Sequence, residues 1–235
     1  MKKTLPNVMH LVAFVFLASS LHSFAQSPTE PALGFNVFTE SGATLATNET
    51  DGPVAIGGDL TVSGSYQVST NYTGNFSVNN TPVTLVVGGK VNYNSGTLQV
   101  NQNGYVKIGQ PNNSVVWYYD QNNAASPIRI TPNSNYNASS KIMLQANVNQ
   151  LNVGLNNNPV FQSGLIDFAD AFNKMKNNAL SLSQCTSNAT LTNPNGNPIP
   201  NTNLPNQVKI NLQEGINILN VTIQDLNQVS VFTYN

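Results

Sequence analysis

The sequence predicts an all-β-dominated fold, a β-solenoid (β-helix) with one long amphipathic α-helix packed along it. Three observations predict it. The stretch GPVAIGGDLTV, residues 52–62, returns altered as TLVVGGKVNY, residues 84–93. Short β-rich runs divided by Gly and Asn follow one another along most of the chain. One segment alone has helical periodicity. A β-sandwich also uses many short strands and is the alternative. The repeat favours the solenoid, in which each turn stacks on the next.

In the repeat, aligning Gly57-Gly58 on Gly88-Gly89 puts Val54 over Leu85, Ile56 over Val87, Leu60 over Val91 and Val62 over Tyr93. These residues alternate with Ala55, Asp59 and Thr61, or with Val86, Lys90 and Asn92, so one set is expected inside and the other outside. A double glycine within such a run marks a bend or a close approach of another backbone.

The chain starts with a secretory signal peptide, residues 1–25. Lys2 and Lys3 precede an apolar run too short to span a bilayer, and Ser23-Phe24-Ala25 offers small residues for cleavage before Gln26. The mature chain, 26–235, is read as one domain. His10 and His22 leave with the signal, so the mature chain has no histidine. Loss of Lys2 and Lys3 leaves seven cations against ten carboxylates, a formal charge of −3. Charged residues are 8% of the sequence, well under the usual quarter or so. Such a surface gives no basic field for nucleic acid, and none is expected as partner. Cys185 is the single cysteine, which rules out an internal disulfide framework and reads as a small buried residue. No transmembrane segment is seen in the mature chain, and its anchor is not legible.

A first strand is expected at residues 33–38 and a polar loop at 40–51. After the repeat, strands are expected around Leu98 and Val100, Val106 and Ile108, Ser114 to Tyr119, and Ile128 and Ile130. Ile142, Leu144, Ala146 and Val148 alternate. The phase then slips by one at Asn149-Gln150 before Leu151, Val153 and Leu155, which reads as a corner between strands. Leu165, Phe168, Phe172, Met175, Ala179 and Leu182 recur at helical spacing, with Ser163 or Gly164 as the start and Asp170–Lys174 as an i,i+4 pair. Phe168 and Phe172 are expected to pack on the sheet. Residues 186–206 read as a loop, and strands return at 208–212, 216–223 and 229–232. The sequence stops almost on a strand, so a domain truncated at its C-terminal end is expected.

LGFNVF, TDGPVAIGGDLTV, TLVVGGKVNY and IDFADAF, in this order and spacing, resemble the choice-of-anchor A domain, a family of bacterial exported surface proteins regarded as adhesins. The likeness runs from Leu33 to about Phe232, with Pro53 as a small departure. It implies a β-helical domain on or shed from the cell surface, binding rather than catalysis, and no agreed ligand.

Without histidine, Ser-His-Asp and Cys-His chemistry is unavailable, and so are histidine zinc sites. The Gly57-Gly58 and Gly88-Gly89 pairs lack a phosphate-loop context. Asp51, Asp59, Asp167 and Asp170 could form carboxylate pairs of a polysaccharide-cleaving enzyme, but read as turn and helix-start residues. No enzyme activity, catalytic residue, metal or cofactor is expected. The leading reading is adhesion to carbohydrate or extracellular protein through a flat face. Trp117, Tyr118 and Tyr119 are the candidate ligand residues, with Trp117 and Tyr119 on one side of a strand. Gly57, Gly58, Gly88, Gly89, Phe168 and Phe172 are structural. Ice binding is a further alternative, marked by a regular outward Thr ladder. The sequence shows only scattered Thr residues, such as Thr61 and Thr84.

Overall fold

A computed structural model describes residues 27–235. The signal peptide expected at residues 1–25 lies outside the described residues. The chain opens with a 3-10 turn, Glu30–Ala32. Leu33 caps this turn in a left-handed conformation (φ 56°) and Gly34 follows at φ 78°. The first strand therefore starts four residues later than expected, as β1 (Val37–Thr39), with Phe35 already in the core.

Three passes of chain follow the same itinerary. The first is β1, β2 (Ala43–Leu45) and β3 (Asn48–Glu49). The second is β4 (Val54–Ile56), β5 (Leu60–Ser63) and β6 (Tyr66–Val68). The third adds β7 (Ser77–Val78) before β8 (Thr81–Val87), β9 (Val91–Ser95) and β10 (Thr97–Val100). A fourth begins with β11 (Tyr105–Ile108), departs into the hairpin β12 (Val115–Tyr119) and β13 (Ala125–Thr131), and returns as β14 (Lys141–Leu144). Equivalent strands pair in parallel. β1, β4, β8 and β11 form one sheet, and β2, β5 and β9 a second. In the third sheet β3, β6, β10 and β14 are parallel, and β13 and β12 extend it antiparallel. The loop expected at 40–51 is thus two strands of the first pass. Their apolar signal is only Ala43 and Leu45, too little for a period to show.

The repeat is stacked in the register read from the sequence: Val54 pairs with Leu85, Ile56 with Val87, Leu60 with Val91 and Val62 with Tyr93. The double glycines are corners between sheets, not bends within strands. Gly57 N donates to Thr39 O (2.8 Å), Gly88 N to Ile56 O (2.7 Å) and Gly109 N to Val87 O (2.7 Å). A Cβ on Gly88 would strike the Gly57 carbonyl, and one on Gly58 would lie 2.6 Å from Gly42 N. Close backbone approach, not an unusual φ, is what demands glycine here.

Asn has a different role. Eight of the eleven non-glycine residues with positive φ among the described residues are Asn. Its short amide tolerates the left-handed conformation that corners require. Asn79 and Asn80, at φ 51° and 60°, close the two-residue hairpin between β7 and β8.

The inward faces make one core of stacked Val, Ile and Leu. Ala55 and Val86, expected outside, are also buried. They align with Phe38 on the outer face of the first sheet, where Phe168 and Phe172 pack, while Phe161 bridges in parallel to Ile108 at the sheet's edge. That helix, α2 (Phe168–Ser183), is preceded by a single turn, α1 (Val148–Leu151). Phe38 of β1 meets Phe168 at 5.0 Å and Phe172 at 5.6 Å between ring centroids. The helix starts at Asp167, not Ser163 or Gly164, because the Asp167 carboxylate caps Asp170 N at 3.0 Å. Ala179, read as part of the buried stripe, is exposed. The phase slip at Asn149-Gln150 is α1 itself, set by a capping box between Asn147 and Gln150.

The rest folds on a small second core of Leu191, Leu204 and Val208. The segment read as a loop contains β15 (Thr190–Thr192) and β16 (Pro198–Ile199), which join β17 (Gln207–Asn211). No strand forms at 216–223. α3 (Ile223–Gln228) follows, and β18 (Val231–Tyr234) pairs in parallel with β17. Cys185 is half-buried rather than buried, with its thiol 3.5 Å from Ser181 O. No helix among the described residues is long and apolar enough to cross a membrane.

Candidate functional site

The outer face of the first sheet is covered, which leaves the second and third sheets with open faces. The third is broader, with six strands. Its pairing aligns one outward residue from every strand: Glu49, Gln67, Gln99, Met143, Arg129 and Trp117. The residues beside them, Leu98, Ile142 and Ile130, point into the core. Alternation about a buried column thus makes the row face out.

At the Glu49 end the face holds a shallow groove of about 480 Å³, lined by Thr47, Glu49, Ser65, Gln67, Thr97 and Gln99 among others. Thr47, Ser65 and Thr97 supply one hydroxyl from each of three adjacent strands or strand approaches. On the second sheet Thr44, Thr61 and Asn92 are likewise in register. A Thr ladder was not legible in the sequence, because the passes differ in length and its members fall at irregular intervals.

At the other end Trp117 and Tyr136 meet edge to face, 5.4 Å apart and at 85°. Trp117 Nε1 donates to Thr131 Oγ1 at 2.9 Å. The Arg129 guanidinium lies 4.1 Å from the Tyr136 ring centre, and its Nη1 donates to Tyr136 O at 3.3 Å. Lys141 donates to Ala138 O at 3.0 Å. Neither Arg129 nor Lys141 has a carboxylate partner within ion-pair distance among the described residues. Tyr136 escaped the sequence reading. Its signal was its setting, a lone aromatic in the polar run NSNYNAS, where Asn133 and Asn135 form successive side-chain turns.

The structure separates the three aromatics singled out in the sequence. Trp117 is half-buried on the face, and Tyr119 is 42% exposed at the end of its strand. Tyr118 points inward, is 8% exposed, and accepts Val160 N at 3.0 Å. Behind it Tyr105 donates to Asn158 O at 2.9 Å, and burial pushes its phenol well above the usual range, helped by Tyr118. Tyr93, on β9, is pushed up to about 12 by burial, although its contact with Ser114 Oγ (3.1 Å) pulls the other way.

The four aspartates weighed for chemistry are engaged locally. Asp51 accepts Asn71 Nδ2 at 2.8 Å, and Asp59 accepts Lys90 N at 3.0 Å. Asp167 caps α2, and Asp170 pairs with Lys174 at 2.7 Å. Gly57, Gly58, Gly88 and Gly89 are the corners, and Phe168 and Phe172 hold the helix to the sheet, as described above.

No curated protein and no solved structure matches the chain. A family model described as a putative ice-binding-like adhesive domain matches residues 28–235, nearly all of the described chain. This strand-dominated chain therefore belongs to the putative ice-binding-like adhesive domain family.

Proposed function

We propose that the domain is a non-catalytic adhesion module of an exported surface protein, built as a short β-solenoid that binds glycan through its six-stranded sheet. The observation that carries this reading is the row from Glu49 to Trp117, in register across all six strands. Amides along the row can exchange hydrogen bonds with sugar hydroxyls, and the aromatic end can stack on a pyranose. The solenoid reading rests on three successive passes whose strands pair in parallel with their counterparts. Few charges mean little long-range steering, so each site is expected to be weak and to gain from many copies on a surface. The LGFNVF, double-glycine and IDFADAF segments further support a likeness to choice-of-anchor A domains within adhesive proteins.

The test is a panel of glycans and extracellular-matrix proteins, probed with the protein and a Gln67→Ala, Gln99→Ala, Trp117→Ala variant. Saturable glycan binding lost in the variant is expected. Binding of a matrix protein alone would retain adhesion and replace the ligand class. Binding that the variant keeps would discard this face.

A second reading, adhesion to ice, is favoured by the hydroxyls of Thr47, Ser65 and Thr97 along the groove. It predicts inhibition of ice recrystallisation that Thr97→Tyr abolishes. No inhibition from folded protein would remove it.

A further inference from the structure

We propose that the Trp117 end of the sheet is a subsite for a carboxylate-bearing pyranose, such as a uronate residue of an acidic polysaccharide. The inference rests on the adhesive reading above and gives it a ligand class.

The charges argue for an anion. Arg129 pairs across strands with Met143, so Lys141, two residues before Met143, lies diagonally opposite on the same face. Such diagonal positions are about 7–8 Å apart, a span that one sugar carboxylate with a ring oxygen or hydroxyl can bridge. Lys90, Lys174 and Lys176 have carboxylate partners, in Asp59, Asp170 and Glu40. Four cations of the described chain lack such a partner, Lys107, Arg129, Lys141 and Lys209, and of these Arg129 and Lys141 share this face.

The guanidinium is also prepared for the task. Tyr136 holds one of its faces and the Tyr136 carbonyl takes Nη1, while Nε is buried without an acceptor. Its plane is thereby fixed, and the N–H groups beyond Nη1 and Nε are left for a ligand. Lys141 has used one of its three donors, on Ala138 O. A fixed guanidinium loses little freedom when it binds a carboxylate, which strengthens a charge-assisted hydrogen bond.

The aromatics argue for a sugar rather than a small anion. The Trp117 indole N–H is already satisfied by Thr131, so what the half-buried ring still offers is an apolar π face. The C–H groups of a pyranose carry slight positive charge and meet the negative face of such a ring. Next in the row come Met143 and Gln99, which are uncharged and suit the neutral part of the chain.

The experiment titrates the protein with a galacturonic acid oligomer and with its carboxyl-reduced counterpart. Trp117 is the only tryptophan, so its emission reports on this site directly. Expected are saturable binding with a change in emission, at least tenfold weaker binding of the reduced oligomer, and a loss of at least tenfold on Arg129→Gln. Lys141→Gln, a milder surface change, should weaken binding about threefold, so the inference stays testable if Arg129→Gln fails to fold. Equal binding of both oligomers, or full affinity in both variants, overturns it. Neutral oligosaccharides that bind the face while the acidic oligomer does not would overturn the inference and keep the adhesive reading. Folded protein that binds no glycan would remove both.

Discussion

Lys107 Nζ donates to Gln162 Oε1 and to Pro159 O, each at 2.7 Å, and so ties the strand β11 to the segment that runs along its edge. It also donates to Asn158 Oδ1, and its side chain is fully buried. Asn158 in turn sits in a left-handed conformation at φ 63° and gives its Nδ2 to Val78 O at 2.9 Å. The neighbouring backbone joins the sheet directly: Ile108 N donates to Val160 O at 3.0 Å and Gln162 N to Ile108 O at 2.9 Å. A charge among neutral oxygens, with no carboxylate, holds this seam.

The seam predicts that Lys107→Met destabilises the domain by roughly 2 kcal/mol at pH 7. The methionine fills much of the same volume, but the buried acceptors on Asn158 and Pro159 lose their donor, and each unsatisfied group costs about 1–3 kcal/mol. Removal of a buried charge offsets part of this. Urea midpoints measure it. An unchanged midpoint would mean that the charge and its partners cancel.

Stability should also respond to alkali, in two directions. Burial lowers Lys107 from 10.5 to about 8, so between these values the unfolded chain binds more protons than the folded one. Stability therefore rises from pH 8 to 10.5, by at most about 3 kcal/mol. Tyr93 is raised from 10.0 to about 12, so between those values the folded chain holds the extra proton and stability falls. A maximum near pH 10 is expected in urea midpoints taken from pH 7 to 12. Lys107→Met should flatten the rising limb and Tyr93→Phe should ease the falling one.

What the sequence revealed and what it hid follow from the same physics. The stacked register of 54–62 on 85–93 was legible because two passes have nearly the same apolar alternation and a shared Gly-Gly corner. The first pass was hidden since β3, Asn48–Glu49, carries no apolar residue at all. The hairpin β12–β13 was legible as strands but not as an antiparallel departure, because a strand pattern has no direction. The site row was hidden for a related reason. Its six members are spread from residue 49 to residue 143 and meet only through pairing between passes. The Trp-Tyr-Tyr run was visible, but which ring faces out depends on the strand's phase against the core.

The corner glycines give a paired prediction. Gly88→Ala would push a Cβ into the Gly57 carbonyl, which is backbone and not the far end of a flexible side chain. A cost of roughly 1–3 kcal/mol is expected, the usual range for overpacking. Gly154→Ala is the control, since a Cβ there meets nothing within 4 Å. It should be neutral or stabilise by a few tenths of a kcal/mol through the unfolded chain, or by up to about 1 kcal/mol. Thermal melts of the two variants separate close approach from a general intolerance of glycine replacement.

Asp225 should decide whether the second core stays closed. It lies in α3, is 5% exposed, and its carboxylate accepts Thr222 Oγ1 at 2.6 Å and Leu204 N at 3.3 Å. The Thr222 hydroxyl, chiefly, holds it below the usual carboxylate range despite desolvation that pulls it up. Its contribution is therefore present above the ordinary carboxylate pKa and lost as pH falls through the lowered value. Asp225→Ala at constant pH removes the acceptor that joins α3 to Leu204, one of the three buried residues of that core. Hydrogen exchange should then quicken at least tenfold at the amides of Leu204 and of β17, while β8 in the main core keeps its protection. Quickened exchange in both places would mean that the two cores unfold as one unit, and the carboxylate would then be a global rather than a local clasp.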